Sequence, residues 1–214
     1  IMAVLVLQNP HLAQLNWQAW SNVFSTHEAQ NHSVWRIQVA DDFALTPEQN
    51  QWLTQHQVDA AVLPDISFSD LSLIISDMDS TLITIECIDE IAAGNGLKDQ
   101  VSAITERSMA GELDFASSLR ERVALLKGLP ETELAHVYDH VLQLTPGAET
   151  LIAACKQHGV KFMLVSGGFT YFTDRLKAQL GLDYAYANEL EIINGKLTGK
   201  LTGRMIDAQA KADL

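Results

Sequence analysis

The sequence predicts an α/β protein built on parallel strands, with a small α/β module in front of them. Three observations carry this. Leu71-Ser72-Leu73-Ile74-Ile75 is a short uncharged apolar run that ends abruptly in Ser76-Asp77-Met78-Asp79-Ser80-Thr81-Leu82. Its length and branching suit a strand buried on both faces. Val160-Lys161-Phe162-Met163-Leu164-Val165 also ends in small polar residues, Ser166-Gly167-Gly168, and leads at once into a helical pattern. The third observation is a shift in charge: residues 1–70 hold seven acids against Arg36 alone, while nearly all the basic residues lie beyond. A boundary near residue 70 follows.

Residues 1–70 read as a β-α-β-α-β unit. Ala3 to Leu7 is a strand stopped by Asn9-Pro10, and His11 to Phe24 carries Leu12, Leu15, Ala19 and Val23 at helical spacing. Ser33 to Val39 alternates like a strand. Thr46-Pro47-Glu48 opens a helix, with Thr46 as N-cap and Pro47 in the first turn. Val58 to Leu63 is a third strand, ended by Pro64. His11, His27, His32 and His56 match no ligand spacing and read as solvated histidines. The module is a candidate for self-association into a homodimer or for sensing an amino acid.

Past the aspartates, Glu86 to about Leu142 reads as helical. Ile88, Ile91 and Ala92 repeat at helical spacing, Asp99 to Ala110 follows, and Asp114 caps a third helix that stops at Gly128. Arg122 falls inside that helix's apolar stripe, between Leu119 and Leu126. A guanidinium there must snorkel outward or meet an acceptor. After Pro146-Gly147 a helix runs to Gly159, and Thr170 to Leu180 forms another, with Gly181 as its stop. Asn194-Gly195 between Glu189–Ile193 and Lys196–Leu201 reads as a type I′ hairpin. The sequence ends inside a helical pattern containing Lys211.

The chemistry lies at the strand ends. Two carboxylates one residue apart at the carboxyl edge of a sheet sit where open α/β folds keep ligands, and their repulsion calls for a cation or a shared proton. Strand, Ser166-Gly167-Gly168, helix is a geometry that aims backbone N–H groups and a hydroxyl at an anion. Other acidic and glycine-rich motifs fail on particular residues. A calcium loop would need glycine at Leu82, a nucleophile elbow would need glycine at Leu164, and no phosphate-loop or dinucleotide glycine pattern is intact.

Asp77-Met78-Asp79-Ser80-Thr81-Leu82, Glu86, Met109, Gly111, Phe115, Arg122, Ser166-Gly167-Gly168, Ala187-Asn188 and Lys211, in that order, resemble the haloacid dehalogenase superfamily, and within it the phosphoserine-hydrolysing family. The resemblance covers Leu73 to Leu214. It implies a Rossmann-like core (71–85 and 143–214) with a helical cap inserted at 86–142. It also implies magnesium-dependent hydrolysis of O-phosphoserine through an aspartyl-phosphate. Asp77 would be the nucleophile and Asp79 the general acid and base, with Mg²⁺ on the Asp77 carboxylate and the Asp79 carbonyl. Ser166, Gly167 and Lys211 would hold phosphoryl oxygens, Glu86 the substrate ammonium and Arg122 its carboxylate. Met109 and Phe115 would form an apolar lid. The superfamily's further Gly-Asp-Gly motif does not occur in these 214 residues, so the protein is expected to continue beyond Leu214.

A small-molecule substrate is what the resemblance implies, and composition argues against some other partners. A net charge of −13 without clustered Lys or Arg argues against nucleic acid. Met2 to Leu7 is too short to span a membrane. Cys87 and Cys155 fit no metal or disulfide framework and suit a reducing, cytoplasmic setting. A related phosphomonoesterase, a phosphotransferase using another alcohol, and a non-catalytic regulator remain open alternatives.

Overall fold

A four-stranded antiparallel sheet organises the first of two compact units, Ile1–Asp70 and Leu71–Leu214, in this computed structural model. The structure describes residues 3–20, 23, 27–31 and 33–213. In the first unit the strands are β1 (Ala3–Gln8), β2 (His27–Asn31), β3 (Val34–Val39) and β4 (Asp59–Pro64), in the spatial order β2-β3-β1-β4. Helix α1 (Pro47–Gln55) connects β3 to β4. It begins as expected: Thr46 accepts from the Gln49 N–H, and the Gln49 side chain accepts from the Thr46 N–H.

Two expectations for this unit fail. His11 to Phe24 is not a helix: Leu12–Gln14 and Gln18–Trp20 form single 3₁₀ turns with Leu15 extended between them. Asn9 accepts from the His11 N–H at 2.7 Å and Asn16 from the Gln18 N–H at 3.1 Å, local bonds that compete with a helix. Leu12 and Trp20 still reach the core, beside Leu5, Leu7 and Ile37. Strand β2 was hidden in the polar run His27-Glu28-Ala29-Gln30-Asn31; pairing with β3 creates it. The sheet is therefore antiparallel, not the expected alternation of strand and helix. Phe24 and His32, which the sequence places in a helix and among the histidines, lie outside the described residues.

The second unit holds the parallel strands. β5 (Leu73–Ser76), β6 (Lys161–Phe169) and β7 (Tyr184–Ile193) run parallel, and β8 (Lys196–Thr202) returns antiparallel to β7. Asn194 and Gly195 both have positive φ, 53° and 72°, as a type I′ turn requires. Strand β5 stands at the sheet edge, with Leu73 40% and Ile75 59% exposed, so the expected burial on both faces is not met. Phe162, Leu164 and Val165 on β6 are buried instead, between the neighbouring strands.

Between β5 and β6 lie α2 (Cys87–Gly94), α3 (Lys98–Met109), α4 (Phe115–Leu125), α5 (Thr132–His136) and α6 (Ala148–His158); α7 (Thr170–Leu180) follows β6 and α8 (Ala208–Asp213) follows β8. The segments leading into and out of α2–α5 are tied together. The Thr84 N–H donates to the Gln143 carbonyl at 2.9 Å, and the Thr145 N–H to Leu82 at 3.0 Å. The far end of α4 is fastened to β8, where the Gly128 N–H reaches the Leu197 carbonyl at 2.8 Å and the Leu197 N–H returns to Leu129 at 2.9 Å. Gly199 permits this contact. Its φ is +81°, and a Cβ there would meet Lys127 Cβ at 2.9 Å and the Ala124 carbonyl at 3.2 Å. Gly199→Ala should therefore cost about 2 kcal/mol in chemical denaturation, from left-handed strain and the clash together. An unchanged denaturation midpoint would show that α4 is not held this way.

Candidate active site

The end of β5 turns sharply, and the turn is what displays the acids. Met78 and Leu82 are buried and anchor it, while Ser80 adopts φ 50°, a left-handed conformation that non-glycine residues take up rarely. The Ser80 N–H donates to the Ile85 carbonyl and the Ile83 N–H to Met78, closing the turn on itself. Asp77 and Asp79 project from it into a cavity of about 360 Å³ that Glu86, Phe115, Arg122, Ser166, Gly167 and Lys211 also line. Of the sequence-predicted site residues the structure brings all but Met109 to this cavity. Met109 lies at the end of α3 and is 85% exposed, away from the lining.

The two aspartates differ in surroundings. Asp77 Oδ2 accepts from Lys211 Nζ at 2.7 Å and Oδ1 from the Met78 N–H at 2.7 Å. A lysine near the end of the sequence thus meets a carboxylate 134 positions earlier. Asp79 is more enclosed, its Oδ1 accepting from the Cys87 N–H at 3.0 Å at the start of α2. Burial pushes the Asp79 carboxyl up to about 6, the hydrogen bonds from Cys87 oppose this, and the charges of Glu86 and Asp77 add to it. Burial and the neighbouring Asp79 in turn push the Cys87 thiol far up, so it stays protonated.

Missing side chains make room on the opposite wall. A Cβ on Gly168 would lie 2.6 Å from Asp79 Oδ2 and 3.1 Å from Ser166 Oγ; one on Gly167 would lie 2.8 Å from the Phe115 ring. Ser166 is buried, and its Oγ accepts from the Gly168 N–H at 2.8 Å, which leaves its own proton to give. Glu86 Oε1 accepts from the Ser80 hydroxyl at 2.7 Å. Arg122, in the apolar stripe of α4, finds the Ser118 carbonyl at 3.4 Å and turns its charge to the cavity. Sequence reasoning gave no role to Ser80 or Asn188. Neither residue carries a signal in the local pattern: Asn188 stands beside Glu189 in a strand of mixed polarity, and Ser80 is one of several small polar residues after β5.

For a divalent metal, the cavity offers oxygen donors, Asp77 and Asp79 among the residues that line it, hard ligands of the kind magnesium takes in small number. Among the described residues no group of three or more His, Cys, Asp or Glu side chains converges on a metal position.

This is a Rossmann-like α/β protein with its cavity at the carboxyl ends of parallel strands and helices inserted after the first of them. The chain belongs to the haloacid dehalogenase-like hydrolase family, whose model matches residues 74–214. It is 56% identical over 140 residues to a phosphoserine phosphatase from Archaeoglobus fulgidus, covering 65% of this chain and 40% of that protein. With a phosphoserine phosphatase from Vibrio cholerae it shares 48% over 183 residues, covering 85% of this chain and 56% of the relative. A haloacid dehalogenase family hydrolase from Salmonella enterica superposes on 100% of the chain and 76% of its own, at TM-score 0.84 and 30% identity. The chain spans about half the length of the curated relatives it matches.

The raised Asp79 pKa has a sign that can be measured. The native state holds this proton more tightly than the unfolded chain does, so stability falls as pH rises from 3.8 to about 6 and is level above. Asp79→Asn should stabilise metal-free protein by on the order of 2 kcal/mol above pH 6 and by nothing near pH 4. Thermal melts at both pH values read this; a gain of equal size at both would contradict it.

Proposed function

We propose that the protein carrying this chain hydrolyses O-phosphoserine to serine and phosphate, with Asp77 as nucleophile. The observation that carries the reading is the charge layout of one cavity. Asp77, bonded to Lys211, lines it together with Ser166, and so do another carboxylate-bearing residue (Glu86) and a guanidinium (Arg122). Phosphoserine has matching groups: a dianionic phosphoryl at one end, an ammonium and a carboxylate at the other. The similarity to phosphoserine phosphatases supports the same substrate.

In this reading residues 71–85 and 143–214 form the core and 86–142 a cap, with Phe115 as the apolar cover. Arg122 takes the substrate carboxylate and Glu86, steadied by Ser80, its ammonium. Lys211, the Ser166 hydroxyl and the Gly167 N–H take the phosphoryl oxygens. An Asp77 oxygen bonds to phosphorus as the bond to the serine oxygen breaks, and protonated Asp79 gives that oxygen its proton. Asp79, now ionised, then takes a proton from water, which attacks phosphorus and frees Asp77 and phosphate. Asp77 and the Asp79 carbonyl would hold a magnesium ion, which when bound offsets the negative charge around the phosphoryl group. Buried, unpaired Cys87 and Cys155 are in keeping with a reducing cytoplasm.

Phosphate release from phosphoserine, in the presence of magnesium, tests the substrate. Asp77→Asn should abolish both turnover and an acid-stable phosphoenzyme. Arg122→Ala should mainly raise KM, by about tenfold or more, as expected when one charged hydrogen bond is lost. Normal turnover by Asp77→Asn would remove the nucleophile from the account.

A further inference from the structure

We propose that Asn188 is a positioning residue that fixes the spacing between the two halves of the phosphoryl pocket. The inference rests on the proposed reading of that pocket and adds a residue to it. Strands β6 and β7 pair regularly through Val165↔Tyr186, and pairing resumes only at Phe169↔Asn188. Ser166, Gly167 and Gly168 are thus opposed by Ala187 alone and leave the ladder. The carbonyls and N–H groups of that stretch lose their strand partners, a cost that must be met by something else.

Asn188 meets it. Its side chain is 1% exposed, and both ends of its carboxamide are used. Nδ2 donates to the Gly167 carbonyl at 2.8 Å, as a ladder N–H would. Oδ1 accepts from the Ile206 N–H at 2.8 Å. A side-chain amide therefore stands in for a peptide unit and bonds two separate stretches of chain.

Both stretches carry anion donors. The Gly167 carbonyl belongs to the same rigid peptide as the Gly168 N–H, which donates to Ser166 Oγ at 2.8 Å. Holding that peptide plane sets the direction in which the Ser166 hydroxyl can give its proton. Ile206 is buried against Met163 and Val165, and just beyond it Asp207 caps the turn of α8 through the Ala210 N–H at 2.8 Å. That turn bears Lys211, whose ammonium reaches Asp77. One carboxamide thus ties the Ser166 hydroxyl to the lysine across the pocket. Glu86 and Arg122 hang from α2 and α4 and touch neither stretch by hydrogen bond.

The two ends of the substrate should respond differently. Asn188→Ala removes both bonds. Asn188→Asp keeps the acceptor for Ile206 and sets an oxygen against the Gly167 carbonyl, so it separates the two halves of the role. For either variant we expect turnover number to fall on the order of 10- to 100-fold, the usual effect of losing a supporting hydrogen-bond partner. Inhibition by inorganic phosphate should weaken about as much, while inhibition by L-serine stays within about twofold, since serine occupies only the far end. Thermal melts verify that each variant is folded at the assay temperature. Loss of phosphate and serine inhibition together, or a folded variant with unchanged turnover and phosphate inhibition, overturns the positioning role; a variant too unstable to assay is replaced by Asn188→Ser. If wild-type protein hydrolyses another phosphomonoester but not phosphoserine, the substrate reading fails while the Asn188 comparison is made on that ester. If wild-type protein neither turns over a phosphomonoester nor binds phosphate by calorimetry, both fall.

Discussion

Four carboxylates line one cavity; Asp207 caps the turn of α8, and the architecture around the other three is an answer to their mutual repulsion. Asp77, Asp79 and Glu86 would drive one another toward protonation if left in a low-dielectric cleft. The fold responds differently to each. Asp77 has a lysine and a backbone N–H, Glu86 has a serine hydroxyl, and Asp79 has an N–H at the start of a helix. At Asp79 burial outweighs the hydrogen bonds it receives. The charge balance depends on Lys211 and Arg122, which arrive from parts of the chain far apart in sequence. That is why the site needs a sheet edge: it is the place where strand ends, an inserted helix and a later turn can all converge.

Much of the site was legible because its chemistry is local. Asp77 and Asp79 follow an apolar run that must be a strand, and Ser166-Gly167-Gly168 follows another, so their position at one edge came from pattern alone. Arg122 was flagged by its place in an apolar stripe, and it does face the cavity. Met109 was not readable in this way. Its residue type suits a lid, but where it points depends on how α3 ends, and Met109 there is exposed. Asn188 was out of reach for the opposite reason. Its role arises from a register shift between two strands, and no spacing in one of them records it.

The same distinction explains the fold. Elements with strong punctuation came out where the sequence placed them. Examples are α7 from Thr170 to Leu180 with Gly181 at φ 65°, the Asn194-Gly195 hairpin, and the Thr46 cap. The misassigned elements lie within residues 11–31. There, apolar spacing suggested a helix, but asparagine side chains bind the backbone locally and the tryptophans gather around the core. Trp17 lies 4.6 Å from Trp52 and 5.1 Å from Trp35, ring to ring. Aromatic packing of that kind satisfies the same apolar residues without a helix, and periodicity cannot tell the two solutions apart. Strand β2 has no pattern of its own and exists by virtue of its neighbour.

The division of labour proposed for the two aspartates is in keeping with this placement. They are the same residue type, two positions apart on one turn, so intrinsic acidity cannot separate them. A nucleophile must be ionised and reachable, and Asp77 is exposed with a cation on one oxygen. A general acid must hold a proton near neutral pH yet release it, and a carboxyl near 6 can do both. The left-handed Ser80 bends the turn that carries both residues, and Gly168 leaves the wall open for the Asp79 carboxylate. A side chain on Gly168 would collide with that carboxylate and displace it. The glycine acts on the chemistry by being absent from the space that Asp79 needs.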